Sequence, residues 1–314
     1  MFDFLSPTRS HALGISLAVV VAVSASACSN TPKSVSPAVD SMAGMPGMSD
    51  STASASVAPS PVEQPSNSSM PGMDMSGDAG RGLAASEGGY TFDLVTTVLA
   101  ANRETVLTFQ IIGPDAKPVR EYTVEQTKML HFYLIRSDLT GYQHLHPQVT
   151  ADGTWTVPVT VHAPGRYRVY ADFTPAATAK TLVLSRQVTV PGTAPDIALP
   201  GPATTTTVDG YTVKLTGEAM SGMSMPVGAE ITRAGQPVTD LQPYLDSYAH
   251  MTALEAGTLA FAHLHPDQAV AGTSSPAVLT FRTQFPAPGL YRLFIQFQTA
   301  GALHTASITV NVNG

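Results

Sequence analysis

An internal duplication constrains the fold of this chain more than any other feature. One segment opens with Gly-Tyr-Thr at Gly89, and a second opens with the same tripeptide at Gly210. Each then carries a Pro-Val pair, a His-Leu-His-Pro motif and an Ala-Pro-Gly-x-Tyr-Arg segment, in that order. The Pro-Val pair precedes the first histidine of the motif by 26 residues in both copies. Two copies of about 100 residues, each long enough to bury its own core, predict two tandem domains.

Both copies have the pattern of β-strands. Short runs of alternating apolar and polar residues, such as 154–161 and 290–297, are separated by Pro-Gly or Asp-Gly turns. This spacing predicts an all-β fold with seven or eight strands per domain, a β-sandwich of immunoglobulin-like or cupredoxin-like type. The predicted boundaries are 89–192 for the first sandwich, 193–208 for a Pro- and Thr-rich linker, and 209–314 for the second sandwich.

The N-terminus has the layout of a secretory signal. Arg9 precedes an apolar run at 12–23, which is too short to span a bilayer, and small residues at 24–27 lead to Cys28, the only cysteine. We therefore expect a signal peptide at 1–27. The small residues before Cys28 resemble a bacterial lipobox, which implies a lipid anchor at Cys28 and a location outside the cytoplasmic membrane. The alternative is ordinary cleavage after Ala27, which gives a secreted protein.

Residues 28–88 are mostly Ser, Pro, Ala, Gly and Met, a composition that cannot offset the entropy of ordering, so we expect a disordered tether. Half of the twelve methionines lie in it: Met42, Met45, Met48, Met70, Met73 and Met75. Thioethers at this close spacing can wrap a soft ion, and neutral sulfur favours Cu(I) or Ag(I). Scavenging of oxidants and compositional drift are the alternatives.

Six of the nine histidines occupy matched positions in the two copies: His131, His144, His146, His250, His263 and His265. Residues i and i+2 of a strand share a face, so the two histidines of each motif project together. We expect residues 129–135 and 142–146 to form a hairpin through a turn centred on Ser137. This hairpin pairs His131 with His144 and Met129 with His146, and it directs Leu130, Phe132 and Leu134 into the core.

The same register in the second copy pairs His250 with His263 and Tyr248 with His265, with Met251 on the opposite face. The predicted ligands there are the three histidines and Tyr248. A further methionine tract precedes them, and we include it among the candidate ligands: Met220, Met223 and Met225. His304 is an additional candidate on the last strand.

The ligand types point to copper. Imidazole suits Zn, Cu, Ni or Fe, and the methionine sulfurs add a preference for copper, above all Cu(I), although Cu(II) and zinc remain alternatives. A blue electron-transfer centre is excluded because it needs a cysteine thiolate in the folded domains. With a net charge of -7 and no basic cluster, nucleic acid is not an expected partner.

The cysteine motif, the MPGM tracts and the paired histidine motifs together resemble the secreted copper-handling proteins of bacterial envelopes. Within that group they are most similar to two-domain secreted proteins of high-GC Gram-positive bacteria. The resemblance implies a protein that sequesters, buffers or delivers copper outside the cytoplasmic membrane, with a copper-transport protein of the envelope as partner. We expect no enzymatic activity.

Two other functions stay open at this point. The histidines could be structural residues of an immunoglobulin-like interaction module, with the prolines at 147 and 266 ending edge strands. Alternatively, three histidines with an open position could hold a catalytic zinc, which would need a general base nearby. The acidic residues near the histidines in sequence are Asp246, Glu255 and Asp267. The number of ions bound is also left open.

Overall fold

The computed structural model describes residues 80–271 and 274–314, with the backbone only at positions 263 and 265. The predicted signal peptide, Cys28 and the six methionines of the tether lie outside the described residues. All described residues belong to one compact unit. No helix long and apolar enough to cross a membrane occurs within 80–271 and 274–314.

The described residues form strands and no helix, so the predicted all-β fold with two tandem domains is confirmed. The strands of the first domain are β1 Ser86–Glu87, β2 Tyr90–Leu94, β3 Glu104–Ile112, β4 Tyr122–Thr123, β5 Leu130–Arg136, β6 Gln143–Leu145, β7 Gln148–Val149, β8 Thr154–Thr160, β9 Gly165–Pro175 and β10 Leu182–Val190. Those of the second domain are β11 Thr205–Val208, β12 Tyr211–Thr216, β13 Ser224–Arg233, β14 Gln236–Pro237, β15 Ala249–Glu255, β16 Phe261–Pro266, β17 Val278–Gln284, β18 Gly289–Thr299 and β19 Ala302–Val312.

The first domain is a sandwich of two sheets. One sheet has the strand order β1-β2-β3-β8-β7, and the other has the order β10-β9-β5-β6, with β4 paired to β9. Strands such as β3 and β8 alternate buried and partly exposed residues, because one face of each covers the core and the other faces outward. Phe109 and Trp155, opposite each other on these strands, stack at a ring separation of 6.2 Å in that core.

The second domain has a similar succession of strands, but its two sheets are joined. Its strands form one continuous sheet in the order β11-β12-β13-β17-β16-β15-β18-β19, with β14 paired to β13. The join is β16, the strand that carries the His-Leu-His-Pro motif, which pairs with β15 at one end and with β17 at the other.

The same motif crosses between the sheets in the first domain, where the strand is interrupted. There β6 pairs with β5 of one sheet, and β7 pairs with β8 of the other. The interruption falls at His146 and Pro147, because proline has no N–H to contribute to a ladder. The motif thus places its histidines where the chain passes from one sheet to the other.

The predicted hairpin forms, but its register is wrong by two residues. His144 lies opposite Tyr133 rather than His131. The reason is the connection, which is a six-residue loop at 137–142 rather than a tight turn on Ser137. Leu139 adopts a positive φ of 65° in this loop, and its N–H donates to the carbonyl of Arg136 at 2.9 Å. The centre of the hairpin loop therefore lies one residue later in the sequence than predicted.

A shift of two residues leaves every side chain on its predicted face. Leu130, Phe132 and Leu134 belong to the first core, as expected from the sequence. The second copy is shifted in the same way, since Ala253 lies opposite Ala262 and the predicted pairing of His250 with His263 is wrong.

The two domains share a third apolar cluster, which we call the seam. The first domain contributes Tyr133, Ile135, Leu139, Tyr170 and Val183, and the second contributes Leu254, Leu259, Phe261 and Phe294. Tyr142 stacks on Phe294 with ring centroids 4.0 Å apart, and its hydroxyl donates to Thr252 at 3.1 Å. Because the seam is apolar and hydrogen-bonded, it holds the histidine-bearing faces of the two domains against each other.

The seam repeats one contact with pseudo-twofold symmetry. Phe261 occupies the position in the second copy that Tyr142 occupies in the first, and Phe294 corresponds likewise to Tyr170. The rings of Tyr170 and Phe261 also pack together, with centroids 5.7 Å apart and planes inclined by 47°. Since the two copies meet through the same faces, equivalent histidines are brought toward one another.

Residues before 89, assigned from the sequence to the tether, include β1 and Arg81. The guanidinium of Arg81 lies 2.5 Å from the Glu255 carboxylate of the second domain. The N–H of Phe261 also donates to the carbonyl of Arg81 at 2.8 Å. This short segment therefore contacts the second domain before the chain enters the first.

Candidate metal centre

The centre of the site is a pair of buried histidines from the first domain. His131 lies on β5 and is 4% exposed, and His144 lies on β6 and is 9% exposed. Nδ1 of His131 is 3.1 Å from Nε2 of His144. Burial of two adjacent imidazoles has a desolvation cost that only satisfied nitrogens offset, so the partner of each nitrogen matters.

The outer nitrogens of this pair have partners that fix where the ring hydrogens lie. Nε2 of His131 is 3.1 Å from the carbonyl oxygen of Glu125, and Nδ1 of His144 is 2.7 Å from Oε1 of Gln296. Gln296 is placed with its oxygen toward His144 and its amide nitrogen 3.2 Å from the Thr305 hydroxyl. Both oxygens accept only, so each outer nitrogen carries the hydrogen of its neutral ring.

The two inner nitrogens therefore face each other as acceptors. In the neutral rings, Nδ1 of His131 and Nε2 of His144 each present a lone pair across 3.1 Å. Such a pair is stable only with a positive species between the nitrogens, either a shared proton or a metal ion. With Gln296 in this orientation, the geometry favours a cation between the two inner nitrogens.

Burial disfavours protonation of these histidines. Desolvation lowers the pKa of His131, and it holds the pKa of His144 well below its ordinary value, with the nearby His250 and His131 adding to the effect. Burial also lowers the pKa of His146 to about 4. At neutral pH these imidazoles are unprotonated, which is the form that binds metals.

The second domain contributes a third histidine across the seam. His250 on β15 is 5% exposed, and its ring lies 4.5 Å from that of His144 and 5.8 Å from that of His131. One ring nitrogen from each of His131, His144 and His250 lies within 4.8 Å of the other two. The structure thus brings predicted ligands of both copies into one cluster, which we call the histidine cluster.

His146 is also part of this cluster. Its ring lies 4.8 Å from that of His144 and 5.2 Å from that of His131. Among the described residues, its buried Nε2 has no hydrogen-bond partner. An unsatisfied buried nitrogen next to this pair is a second observation that fits a cation-binding position.

A cavity of about 60 Å³ opens beside the histidine cluster at the seam. His131, His250 and the predicted ligand Met129 line it, together with Met251. Met129 is 39% exposed and Met251 is 2% exposed. The cavity therefore joins the histidine cluster to the surface beside Met129.

Two residues of the site could not be recognised from the histidine pattern. Gln296 on β18 holds His144, and Asp172 on β9 lies opposite His131 and opposes the burial effect on its pKa. These two residues occupy equivalent positions in the two copies. Alignment of the repeats around the paired strand could have identified them, because a strand next to a ligand strand supplies the second layer of contacts.

Other predicted residues lie elsewhere. Tyr248 packs in the core of the second domain, and its hydroxyl donates to the carbonyl of Ala271 at 2.9 Å. The described cavity beside the cluster includes no residue of the second methionine tract, which precedes or begins β13: Met220, Met223 and Met225. His304 lies between Asp209 and Thr299, at 2.8 and 2.9 Å.

Two of the three carboxylates considered as a general base, Glu255 and Asp267, are engaged in ion pairs. Glu255 contacts Arg81, and Asp267 lies 2.8 Å from Arg282. Neither carboxylate lines the cavity beside the histidine cluster. The arrangement supports ion binding by imidazoles more directly than it supports a hydrolytic site.

Comparison with solved structures finds distant similarities. FdeC, an Escherichia coli adhesin, is 19% identical with a TM-score of 0.25, and the match covers 74% of this chain and 66% of that one. Escherichia coli alpha-2-macroglobulin is 10% identical with a TM-score of 0.25, over 71% of this chain and 20% of that one. This chain thus spans two thirds or less of their lengths, and TM-scores this low bear on neither site nor function.

A comparison with curated protein sequences finds no relative at all. The duplicated segments, by contrast, each match one family, described as a domain of unknown function, DUF8832, over residues 84–190 and 206–314. Since these two matches cover more than half of the chain, the protein belongs to the DUF8832 family and carries two copies of its domain.

Proposed function

We propose that this is an extracytoplasmic metal-binding protein that sequesters, buffers or delivers copper. One ion is held at the seam by His131, His144 and His250, so both domains contribute to a single site. The observation that carries the proposal is the cluster of buried imidazoles: Nδ1 of His131 lies 3.1 Å from Nε2 of His144, and one ring nitrogen from each of the three histidines lies within 4.8 Å of the other two.

The spacing of the nitrogens suits a single ion. Two imidazole nitrogens 3.1 Å apart subtend an angle of roughly 100° at an ion that lies ~2.0 to 2.1 Å from each, close to tetrahedral geometry. Ligand nitrogens in such a site are about 3.3 Å apart. The third nitrogen lies within 4.8 Å, so a movement of about 1.5 Å by His250 closes the set.

Further histidines are available to complete the coordination. His146 has its buried Nε2 beside His131 and His144. His263 and His265 lie on β16, whose backbone pairs with β15 and β17. We propose His146, His263 and His265 as additional ligands, with Met129 at the cavity.

Copper is favoured over zinc by the methionines rather than by the histidines. Imidazole ligands alone accept either metal, whereas a thioether ligand selects Cu(I). Met129 supplies a thioether at the cavity, and the tether supplies six more along the sequence. Zinc is the alternative ion for the same cluster.

The location and the tether complete the proposal. The apolar run and Cys28 support export and a lipid anchor, which keeps the domains at the outer face of the cytoplasmic membrane. A flexible chain of about 60 residues spans roughly 40 Å, so its methionines could collect copper within that radius. An envelope copper-transport protein is the proposed partner for delivery.

The test is metal retention by the purified mature chain after loading with Cu(I), Cu(II) or Zn(II) and desalting. We expect a His131→Ala/His144→Ala double variant to retain one ion fewer than the parent chain. The tether is unchanged in both proteins, so its contribution cancels in the difference. A His162→Ala variant is the matched control, since His162 is exposed and bonds to Asn102 at 3.0 Å.

Structural histidines predict a different result. If the pair holds a shared proton and no metal, the double variant unfolds more easily and retains as much metal as the parent chain. Equal retention by the parent, the double variant and the control would therefore overturn the proposed function and leave an immunoglobulin-like interaction module.

A further inference from the structure

Asp172 is a half-buried carboxylate at the edge of the histidine cluster. It lies on β9 directly opposite His131, and it lines the cavity of about 60 Å³ that His131 and His250 also line. Glu125 and Lys128, the other formally charged residues of that lining, are exposed and half-buried respectively. Shielding from water costs a carboxylate part of its hydration, so a carboxylate in this position is stabilised by hydrogen-bond donors of the protein.

His131 does not supply the donor, although it is the neighbour of Asp172 across the strand pair. Its Nε2 lies 3.1 Å from the carbonyl oxygen of Glu125, and its Nδ1 lies 3.1 Å from Nε2 of His144. Both nitrogens of His131 are thus engaged within the first domain. Across the seam, β15 and β16 border the same cavity, which points to a donor in the second domain.

The equivalent position of the second copy shows what a residue in this place does. Gln296 lies on β18 opposite His250, as Asp172 lies on β9 opposite His131. Gln296 reaches across the seam, where its Oε1 is 2.7 Å from Nδ1 of His144. A residue of one copy therefore supports the histidine motif of the other copy.

This support continues a contact of the seam. Tyr142 stacks on Phe294 with ring centroids 4.0 Å apart, and two residues further along each chain segment His144 meets Gln296. Alternate residues of a strand share a face, so both contacts lie side by side on the seam.

The equivalent seam contact joins β16 and β9. Phe261 packs on Tyr170 with ring centroids 5.7 Å apart. Two residues further along these strands are position 263, the first histidine of the second motif, and Asp172. The pseudo-twofold symmetry therefore relates Asp172 to the second motif as it relates Gln296 to the first.

We infer that Asp172 is a positioning residue of the metal site, whose carboxylate accepts a hydrogen bond from His263. It does for the second motif what Gln296 does for the first. The inference rests on the proposed function and adds how the second motif is held. Because a neutral amide has this role in the other half of the site, the acceptor oxygen is what matters and the negative charge is not required.

The experiment follows the imidazole NMR signals of the mature chain during titration with Zn(II) and, separately, with Ag(I) as a redox-inert substitute for Cu(I). No histidine occurs between residues 28 and 130, so these signals report on the domains and not on the tether. Asp172→Leu and Asp172→Ala remove the acceptor, whereas Asp172→Asn keeps an acceptor oxygen and removes the charge. Asp93→Leu is the control, since Asp93 is an exposed carboxylate on β2.

We expect Asp172→Leu and Asp172→Ala to lose about tenfold to 100-fold in affinity for both ions, the range seen when a group that orients a ligand is removed. Asp172→Asn and the control should stay within about threefold of the parent chain. A carboxylate that serves only the fold would change the urea midpoint and leave these affinities unaltered.

Double variants identify the histidine that Asp172 holds. In a His263→Ala background, Asp172→Leu should cause no further loss of affinity, whereas in a His146→Ala background it should cause the full loss again. A full loss in both backgrounds, equal losses for Asp172→Asn and Asp172→Leu, or no loss in any Asp172 variant would overturn the inference and leave the metal site intact. If neither ion perturbs any imidazole of the parent chain, the proposed function itself fails.

Discussion

Gln296 distinguishes a metal site from a structural hydrogen-bond network. It is 4% exposed, and its Oε1 accepts from Nδ1 of His144 at 2.7 Å. The perturbation is Gln296→Leu, which replaces this hydrogen-bond acceptor with an apolar side chain of similar size. On our account, the glutamine keeps Nε2 of His144 free of hydrogen and therefore ready to bind an ion.

The expected loss of stability depends on which hydrogen bond His144 can form without the glutamine. An orphaned buried N–H costs about 1 to 3 kcal/mol, and a purely structural histidine would lose that much. Here the ring can move its hydrogen to Nε2 and donate to Nδ1 of His131, which lies 3.1 Å away. One hydrogen bond of about 1 kcal/mol replaces another, so the metal-free variant should lose about 1 kcal/mol or less.

By contrast, the loss of metal affinity should be large. The hydrogen now occupies the ligand nitrogen, and the expected loss is about 10-fold to 100-fold. Urea unfolding of the metal-free protein and Zn(II) competition give the two quantities. Gln298→Leu, two residues along β18, is the control, because Gln298 bonds to Gln242 at 3.3 Å instead. A stability loss near 3 kcal/mol with unchanged metal affinity would refute the tautomer argument.

Three further outcomes test the site and the seam. The pKa of His146 is about 4 and those of His131 and His144 are lowered, so the unfolded chain binds protons more readily. The metal-free protein should therefore be most stable above pH 6.5 and lose stability towards pH 4, and urea midpoints independent of pH would contradict this. Phe294→Ala should cost about 3 to 4 kcal/mol in urea unfolding because it empties the seam beneath Tyr142, and a loss below about 1 kcal/mol would show that the domains do not stabilise each other. His304→Ala should lower the free energy of unfolding by about 1 to 2 kcal/mol, because His304 bonds to Asp209 and Thr299. If the variant lost a bound metal ion instead, His304 would be a metal ligand.

The sequence was sufficient for the fold class and for the faces of the strands. Strict alternation decides which side of a strand is buried, so Phe132 and its neighbours were placed in the core correctly. The pairing register was wrong because it depends on the loop, where Leu139 adopts a positive φ that no pattern of apolar residues announces. Since the error was two residues, it left the faces unchanged.

The contact between the two copies could not be predicted from the sequence pattern. Spacing within one copy predicts which histidines share a strand face, and it leaves open whether two domains share one ion. That outcome depends on the seam, where Tyr142 meets Phe294 and Phe261 meets Tyr170. Gln296 was missed for the same reason, because a residue of one domain that supports a histidine of the other has no local signal.

The central claim is that the two copies hold one ion together, and counting ions in single variants tests it most directly. The measurement is the metal content per mature chain for the parent, His144→Ala, His250→Ala and the double variant after identical loading. The account predicts that each variant, including the double, loses the same single ion, because both residues bind it across the seam. Losses that add to two ions, or no loss with His250→Ala, would contradict a shared site.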